Sequence, residues 1–390
     1  MAFLILADGS LFQGQSVGVS GYALGEMVFN TSHSGYQEIL TDPSYLGQII
    51  NFTVPHIGNV GVNEADNEST QIHAAGAIFR DFSSTYSNWR AEESLHNLLI
   101  RQELIALSDI DTRALTLHLR ENGSQNGCLV SNDELSPEKA LLMAQNFQSM
   151  KGANLASQVS TREPYIYKDP QVPIGHIVVI DCGVKEGILQ NLAAFPVKIT
   201  VVPVSTTFEE LLSLAPDGLL LSNGPGDPES CDSVIKLARQ ALQQKLPTFG
   251  ICLGHQIMAL AAGAQTKKMK FGHHGANHPI QCCQTGTVFI SSQNHGFVVD
   301  ERTLPETLAI THVSLFDGTI AGLSHRSAPA FSFQGHPEAS PGPNELRVLF
   351  QQFIQLLTNN GKELQISPPH PPFGHLLSKS GEKGKMRKVL

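Results

Sequence analysis

From His176 onward the chain is built of short, almost wholly apolar runs, "HIVVIDCG", "VKITVVP", "DGLLLSNGPGDP" and "LPTFGICLG". Amphipathic stretches such as "CDSVIKLARQALQQ" separate some of them. A strand that is apolar on both faces must be covered on both faces, and alternation with helices supplies that cover. This half is therefore expected to form a mostly parallel central sheet flanked by helices. In such sheets ligands gather outside the carboxyl ends of the strands. Two segments fall at strand ends of that kind, "SNGPGDP" and the turn that follows "LPTFGI".

The second of these turns carries Cys252 between Gly250 and Gly254, where an apolar run gives way to a helical pattern. A buried cysteine can occupy such a turn simply as a small hydrophobe. The alternative is a nucleophile elbow, a sharp strand-to-helix turn that lifts a reactive side chain above the sheet and tolerates no bulk beside it. The start of the next helix would direct unpaired N–H groups and a positive dipole end at the sulfur, which favours thiolate.

A cysteine nucleophile needs a base, and the base needs an orienting group. "FSFQGHPEASPGP" offers His336 and Glu338, two residues apart and so on one side of an extended segment. The Glu338 carboxylate can then fix the imidazole tautomer. Negative charge on a tetrahedral intermediate calls for backbone N–H groups, available from Leu253 and from the turn holding Gly224 and Gly226. That turn lacks the Gly-Lys-Ser/Thr ending of a phosphate loop. "SSQNHGFVVD" adds Asn294, Gly296 and Phe297 as groups suited to a polar amino-acid substrate. His273, His274, His278, Cys282 and Cys283 are crowded together in "GHHGANHPIQCC" but lack the paired short spacing of a structural zinc site, so a packed, hydrogen-bonding loop near the active site is expected and no metal.

With 390 residues the chain has room for two domains, each with its own core. The boundaries read as an N-terminal mixed α/β domain over residues 1–153 and a polar, proline-bearing linker over 154–175. The sheet domain covers 176–360, and 361–390 is a basic, low-complexity tail rich in proline at its start, expected to be disordered. A net charge of −9 argues against nucleic acid or an anionic membrane as partner. The opening "MAFLILADGSLF" lacks a basic n-region and reads as a strand and turn, and no run reaches the length of a membrane span. Six irregularly spaced cysteines do not make a disulfide framework, which fits a cytoplasmic location.

"FGICLGHQ", "SNGPGDP", "QNHGF" and "GHPEASPGP" together resemble the triad-type (class I) glutamine amidotransferases. "GEMVFNTSHSGYQEILTDPSYLGQIINFTVPHIGNVGVN" and "SDIDTRALTLHLRENGSQNGC" resemble the amino-terminal domain of the carbamoyl-phosphate synthetase small chain. The resemblance runs from about residue 2 to 357. It implies that Cys252 attacks the side-chain amide of glutamine to give a glutamyl thioester, with His336 moving protons and Glu338 orienting it. It further implies a glutamine site made by Ser44, Gly224, Gly226, Leu253, Gln256, Asn294, Gly296 and Phe297, with Ser44 reaching over from the first domain. The ammonia would pass to a large synthetase chain in a hetero-oligomer serving arginine and pyrimidine synthesis. ATP, Mg²⁺ and bicarbonate would be bound by that partner, leaving no cofactor here. Rival readings are an amidotransferase of another pathway, a non-catalytic scaffold and a thiol peptidase. "DCGVKEGILQ" departs from the family pattern at Cys182 and Gly187 while keeping Asp181, Gly183 and Lys185.

Overall fold

A computed structural model describes residues 2–132, 135–148 and 150–358. The tail assigned to 361–390 lies outside the described residues. The first domain closes a seven-stranded barrel, in the order Ala2–Leu6, Leu11–Ser16, Ala106–Ser108, Gly76–Ile78, Gln48–Phe52, Tyr22–Asn30, Asn126–Val130. Pairing is mixed: Tyr22–Asn30 runs parallel to Gln48–Phe52 and antiparallel to Asn126–Val130. Closure removes the open strand edges that a small sheet would otherwise expose. Helix Thr112–Asn122, capped by the Asp111 carboxylate on Ala114 N, contributes Leu115 and Leu119 to one of the barrel's apolar clusters.

The second domain is a ten-stranded sheet. Five neighbouring strands are parallel, ordered Lys198–Pro203, His176–Asp181, Gly218–Leu221, Thr248–Ile251, Ala330–Phe333. Their side chains are split between two large apolar clusters. Val178, Leu219 and Leu221 pack with helices Asp232–Gln243 and Leu253–Ala262, and Val179, Leu220 and Phe249 with helices Glu186–Ala193 and Val348–Thr358. The all-apolar runs therefore mark strands covered on both faces, and the sheet is extended by antiparallel strands whose last pair is the long hairpin Thr266–Cys282 and Val288–Val299.

Residues 154–175, expected as a linker, contain more structure than proline content indicated. Ala156–Val159 is a helical turn, and Tyr165–Lys168 adds an antiparallel edge strand against Lys198–Pro203. Thr161 N donates to Asp181 Oδ2 (2.7 Å) and Val204 N to Ser160 Oγ (2.9 Å), so the segment is stitched to the sheet. The pairing partner lies some 30 residues away in sequence, so no local pattern announces it.

Four loops that leave the parallel strands converge at one edge: Cys182–Lys185, Ser222–Asp227, the Cys252 turn and Gly335–Glu338. Beneath them Phe249 stacks on Phe331 (centroids 4.5 Å) and meets Phe350 and Phe353 at 5.9 and 5.7 Å. Truncating such a ring leaves a cavity in a core that cannot collapse freely. Phe249→Ala should destabilise the second domain by about 3–5 kcal/mol, read as a lowered midpoint in chemical denaturation.

Candidate active site

The strand Thr248–Ile251 and the helix Leu253–Ala262 meet at Cys252, whose backbone has φ 52° and ψ −103°. A non-glycine residue at positive φ is strained and persists only where its surroundings enforce it. The neighbours explain the flanking glycines. A Cβ on Gly254 would lie 2.1 Å from the Leu221 carbonyl oxygen, and one on Gly250 would lie 2.5 Å from the Gly254 carbonyl oxygen. Strand and helix thus approach backbone to backbone. As the first helical residue, Leu253 presents an N–H with no intrahelical acceptor beside the sulfur.

His336 Nδ1 lies 2.7 Å from Glu338 Oε1. An ionised carboxylate only accepts, so Nδ1 carries the proton and Nε2 is left without a hydrogen-bond partner among the described residues. Cys252 is the group that interacts with the ring from that side. Burial by itself would lower the His336 pKa, but Glu338 and the Cys252 sulfur outweigh it and hold the imidazolium well above the ordinary histidine range. Burial likewise disfavours the Glu338 carboxylate, and Lys185 and His336 reverse this, keeping its pKa below the usual value.

Lys185 is the residue that makes this possible. Its ammonium is buried and donates to Glu338 Oε1 (3.0 Å), Ala339 O (3.0 Å) and Ser340 O (2.9 Å), satisfying all three protons. Burial would lower its pKa, yet Glu338, Glu68 and Asp42 drive it upward. Sequence reading recorded Lys185 as a pattern residue without a role. Its partners lie more than 150 positions away.

The pocket beside Cys252 is lined by all eight residues expected around glutamine. Ser44 does cross the domain boundary, and its Oγ accepts from Asn223 Nδ2 (2.9 Å). The Asn294 side chain differs from the expectation of a free amide. Its Nδ2 donates to Asp42 Oδ2 (2.9 Å) and its Oδ1 faces His274 Nδ1 (2.8 Å), while its backbone oxygen lies 3.4 Å from the Cys252 sulfur. Gln256 donates to Phe297 O (2.7 Å) and Gln334 Oε1 (3.1 Å). Gly296 has nothing within 4 Å of an added Cβ, so its openness faces the pocket. Gly224 is required for another reason than close approach of a substrate: a Cβ there would meet the Cys182 carbonyl oxygen at 2.0 Å. Asp42, Asn223 and Glu26 were not found from sequence, since each acts through a contact with the other domain, whereas His274, expected in a packed hydrogen-bonding loop, meets Asn294 across the hairpin.

The histidines of "GHHGANHPIQCC" stay close, with the His273 ring 5.0 Å from that of His278, but each is engaged in the packing of the hairpin. His273 pairs with Asp317 (3.0 Å), His274 with Asn294, and Cys282 packs in an apolar cluster. Burial lowers the pKa of His274 to about 4 and of His278 to about 3. Among the described residues no group of three or more His, Cys, Asp or Glu is arranged to hold a metal ion. The two departures at the first strand also have physical accounts. Cys182 is buried, with its thiol pushed up by desolvation, and Gly187 N donates to Glu68 Oε2 (2.9 Å) where a side chain would be crowded. The most spacious groove, lined by Pro247, Arg326 and Leu356 among others, lies at the opposite, amino-terminal edge of the parallel strands.

Residues 178–356 match the class-I glutamine amidotransferase family, and residues 4–129 match the CPSase domain of the carbamoyl-phosphate synthase small chain. The carbamoyl phosphate synthase small chain of Vibrio parahaemolyticus is 52% identical over 372 residues, covering 92% of this chain and 98% of that one. The small chains of Pseudomonas aeruginosa and Escherichia coli K12 are 51% and 50% identical, each over 91% of this chain and 98% and 97% of their own. The chain belongs to the carbamoyl-phosphate synthase small chain family. Its activity is that of the family's glutamine-hydrolysing subunit within a ligase complex. Matching of the first domain sets it apart from amidotransferases of other pathways, the nearest rival on sequence.

The Lys185 contacts make a test of this family's chemistry at the observed geometry. Lys185→Met removes the largest charge that holds Glu338 ionised, so the carboxyl pKa rises and Glu338 becomes protonated at higher pH. The acid limb of glutamine-dependent kcat/KM should move up by about one pH unit or more, in a pH–rate profile taken beside a melting curve that confirms folding.

Proposed function

We propose that Cys252, His336 and Glu338 are the catalytic array of this glutaminase and that the pocket beside Cys252 receives the glutamine side chain. The observation that carries the reading is the unpaired His336 Nε2 beside the strained Cys252, with Nδ1 fixed on a Glu338 carboxylate that Lys185 keeps charged. The imidazolium favours a thiolate, and the thiolate sulfur attacks the amide carbon of glutamine. As the C–S bond forms, the carbonyl π electrons move onto oxygen, where the Leu253 N–H and the Gly224–Gly226 turn stand ready to donate. Collapse of this intermediate breaks the C–N bond. His336 gives its Nε2 proton to the leaving nitrogen, releasing ammonia and leaving the thioester. Neutral His336 then takes a proton from water as it attacks the thioester carbon, the C–S bond breaks, and glutamate departs with the array restored.

The ammonia released is used by a large synthetase chain, which supplies the ATP, Mg²⁺ and bicarbonate chemistry of carbamoyl phosphate formation. Pairing with that chain in a hetero-oligomer, and a cytoplasmic site of action, complete the proposal. Among the described residues no helix is long and apolar enough to cross a membrane.

Cys252→Ser should abolish glutamine-dependent carbamoyl phosphate synthesis by the two-chain complex while leaving synthesis from added ammonia within about twofold of the parent. A variant that loses both activities would assign Cys252 a structural role and overturn the nucleophile. Parallel assay of both nitrogen sources decides between them.

A further inference from the structure

The pocket beside Cys252 is lined by six residues beyond those assigned to glutamine: Glu26, Gln48, Met150, Pro225, His274 and His295. Glu26 is the one carboxylate in that lining, and no lysine or arginine accompanies it there. The two histidines are neutral, because burial lowers the His274 pKa to about 4 and depresses His295 strongly. Glu26 is therefore the one acidic side chain that the pocket lining offers to a cationic group.

Its placement is built into the barrel. Glu26 lies on the strand Tyr22–Asn30, opposite Gln48, and its N–H donates to the Gly47 carbonyl. The side chain is 6% exposed. Lys268, from the second domain and 27% exposed, pairs with Oε2 across the domain seam. A carboxylate has about four lone-pair sites, so this ion pair does not exhaust it. Lys268 does not itself line the pocket, whereas Glu26 does.

Glutamine enters as a zwitterion. Its amide end goes to Cys252, and its α-carboxylate can be met by the backbone at Gly296 and Phe297, leaving the Gly224–Gly226 turn to the oxyanion. The α-ammonium loses its water on entry and requires acceptors, best a charged one. We propose that Glu26 receives the α-ammonium of glutamine and so selects α-amino acid amides over simple amides. Lys268 holds the carboxylate in place. The inference rests on the reading of this pocket as the glutamine site, and it gives the first domain a direct part in choosing the substrate.

The test uses the complete complex with the large synthetase chain, comparing L-glutamine with 4-carbamoylbutyrate, which has the same amide and carboxylate but no amino group. Glu26→Gln should raise KM for glutamine roughly 10- to 100-fold, the value of a charge-assisted hydrogen bond, with kcat changed much less. The inhibition constant of 4-carbamoylbutyrate should stay within about twofold, because the lost contact is one this compound never makes. Glu26→Asp should recover part of the loss. Lys268→Gln, which breaks the seam ion pair but keeps the carboxylate, should harm glutamine binding less than Glu26→Gln does. Ammonia-dependent synthesis reports that each variant is folded and assembled. Equal losses for both compounds, equal effects of the Glu26 and Lys268 variants, or an unchanged KM would overturn the assignment. Failure of the pocket reading itself is separable, since the parent complex would then hydrolyse glutamine no faster than its Cys252→Ser variant.

Discussion

A buried lysine ammonium is the constraint on which the site depends. Lys185 Nζ ties Glu338 to the carbonyl oxygens of Ala339 and Ser340, so one charge organises both the orienting carboxylate and the turn that follows it. Taking two charges out of water is unfavourable, and a buried pair of this kind is weak evidence for stability. Its value here is positional. With Lys185 in place Glu338 is ionised, His336 is held by Nδ1, and Nε2 is left for the sulfur. Glu68 and Asp42 add further negative potential around the ammonium, and both come from the first domain.

That contribution belongs to a wider seam. Asn223 donates to Ser44, Asn294 to Asp42, Gly187 N to Glu68, and Lys268 meets Glu26, each pair drawn from opposite domains. Most of these groups are buried, so separating the domains would leave polar atoms without partners and without water. The second domain carries the sulfur, the imidazole and the carboxylate, but one wall of the pocket is Ser44, Gln48 and Glu26. The first domain therefore lines the pocket beside Cys252 as well as adjoining the second domain.

What could be read in advance follows the range of the physical signal. The parallel sheet was legible because burial on both faces writes itself into consecutive residues, as in "HIVVID" and "GLLL". The elbow was legible because backbone crowding at Leu221 and Gly254 demands glycine within two positions of Cys252. His336 and Glu338 were legible from their closeness in sequence, although the segment is a turn, with Ala339 N donating to His336 O (3.1 Å), and not the extended stretch expected. The edge strand Tyr165–Lys168 was hidden, since its identity depends on pairing with Lys198–Pro203. Asp42 and Glu26 were hidden for the same reason: their partners Asn294 and Lys268 lie 252 and 242 positions away. Ser44 came only through family resemblance.

Asn294 shows why such residues resist local reading. Its sequence setting, "SSQNHGF", suits a ligand-binding amide, yet both ends of that amide are taken, one by Asp42 and the other by His274. The burial of His274 keeps its ring neutral, so the hydrogen carried by Nδ1 can point at the Asn294 oxygen and settle which way the amide faces. The amide nitrogen must then turn to Asp42, whose other oxygen accepts from Ser44 N. Ser44 is thus set by the same chain of contacts that fixes the backbone carrying the Asn294 oxygen near the Cys252 sulfur. A displacement of the Asp42–Ser44 turn would disturb the pocket wall and the hairpin together, because buried hydrogen bonds join them. The geometry of the nucleophile's surroundings is in this sense a property of two domains in contact, and neither domain's sequence contains it alone.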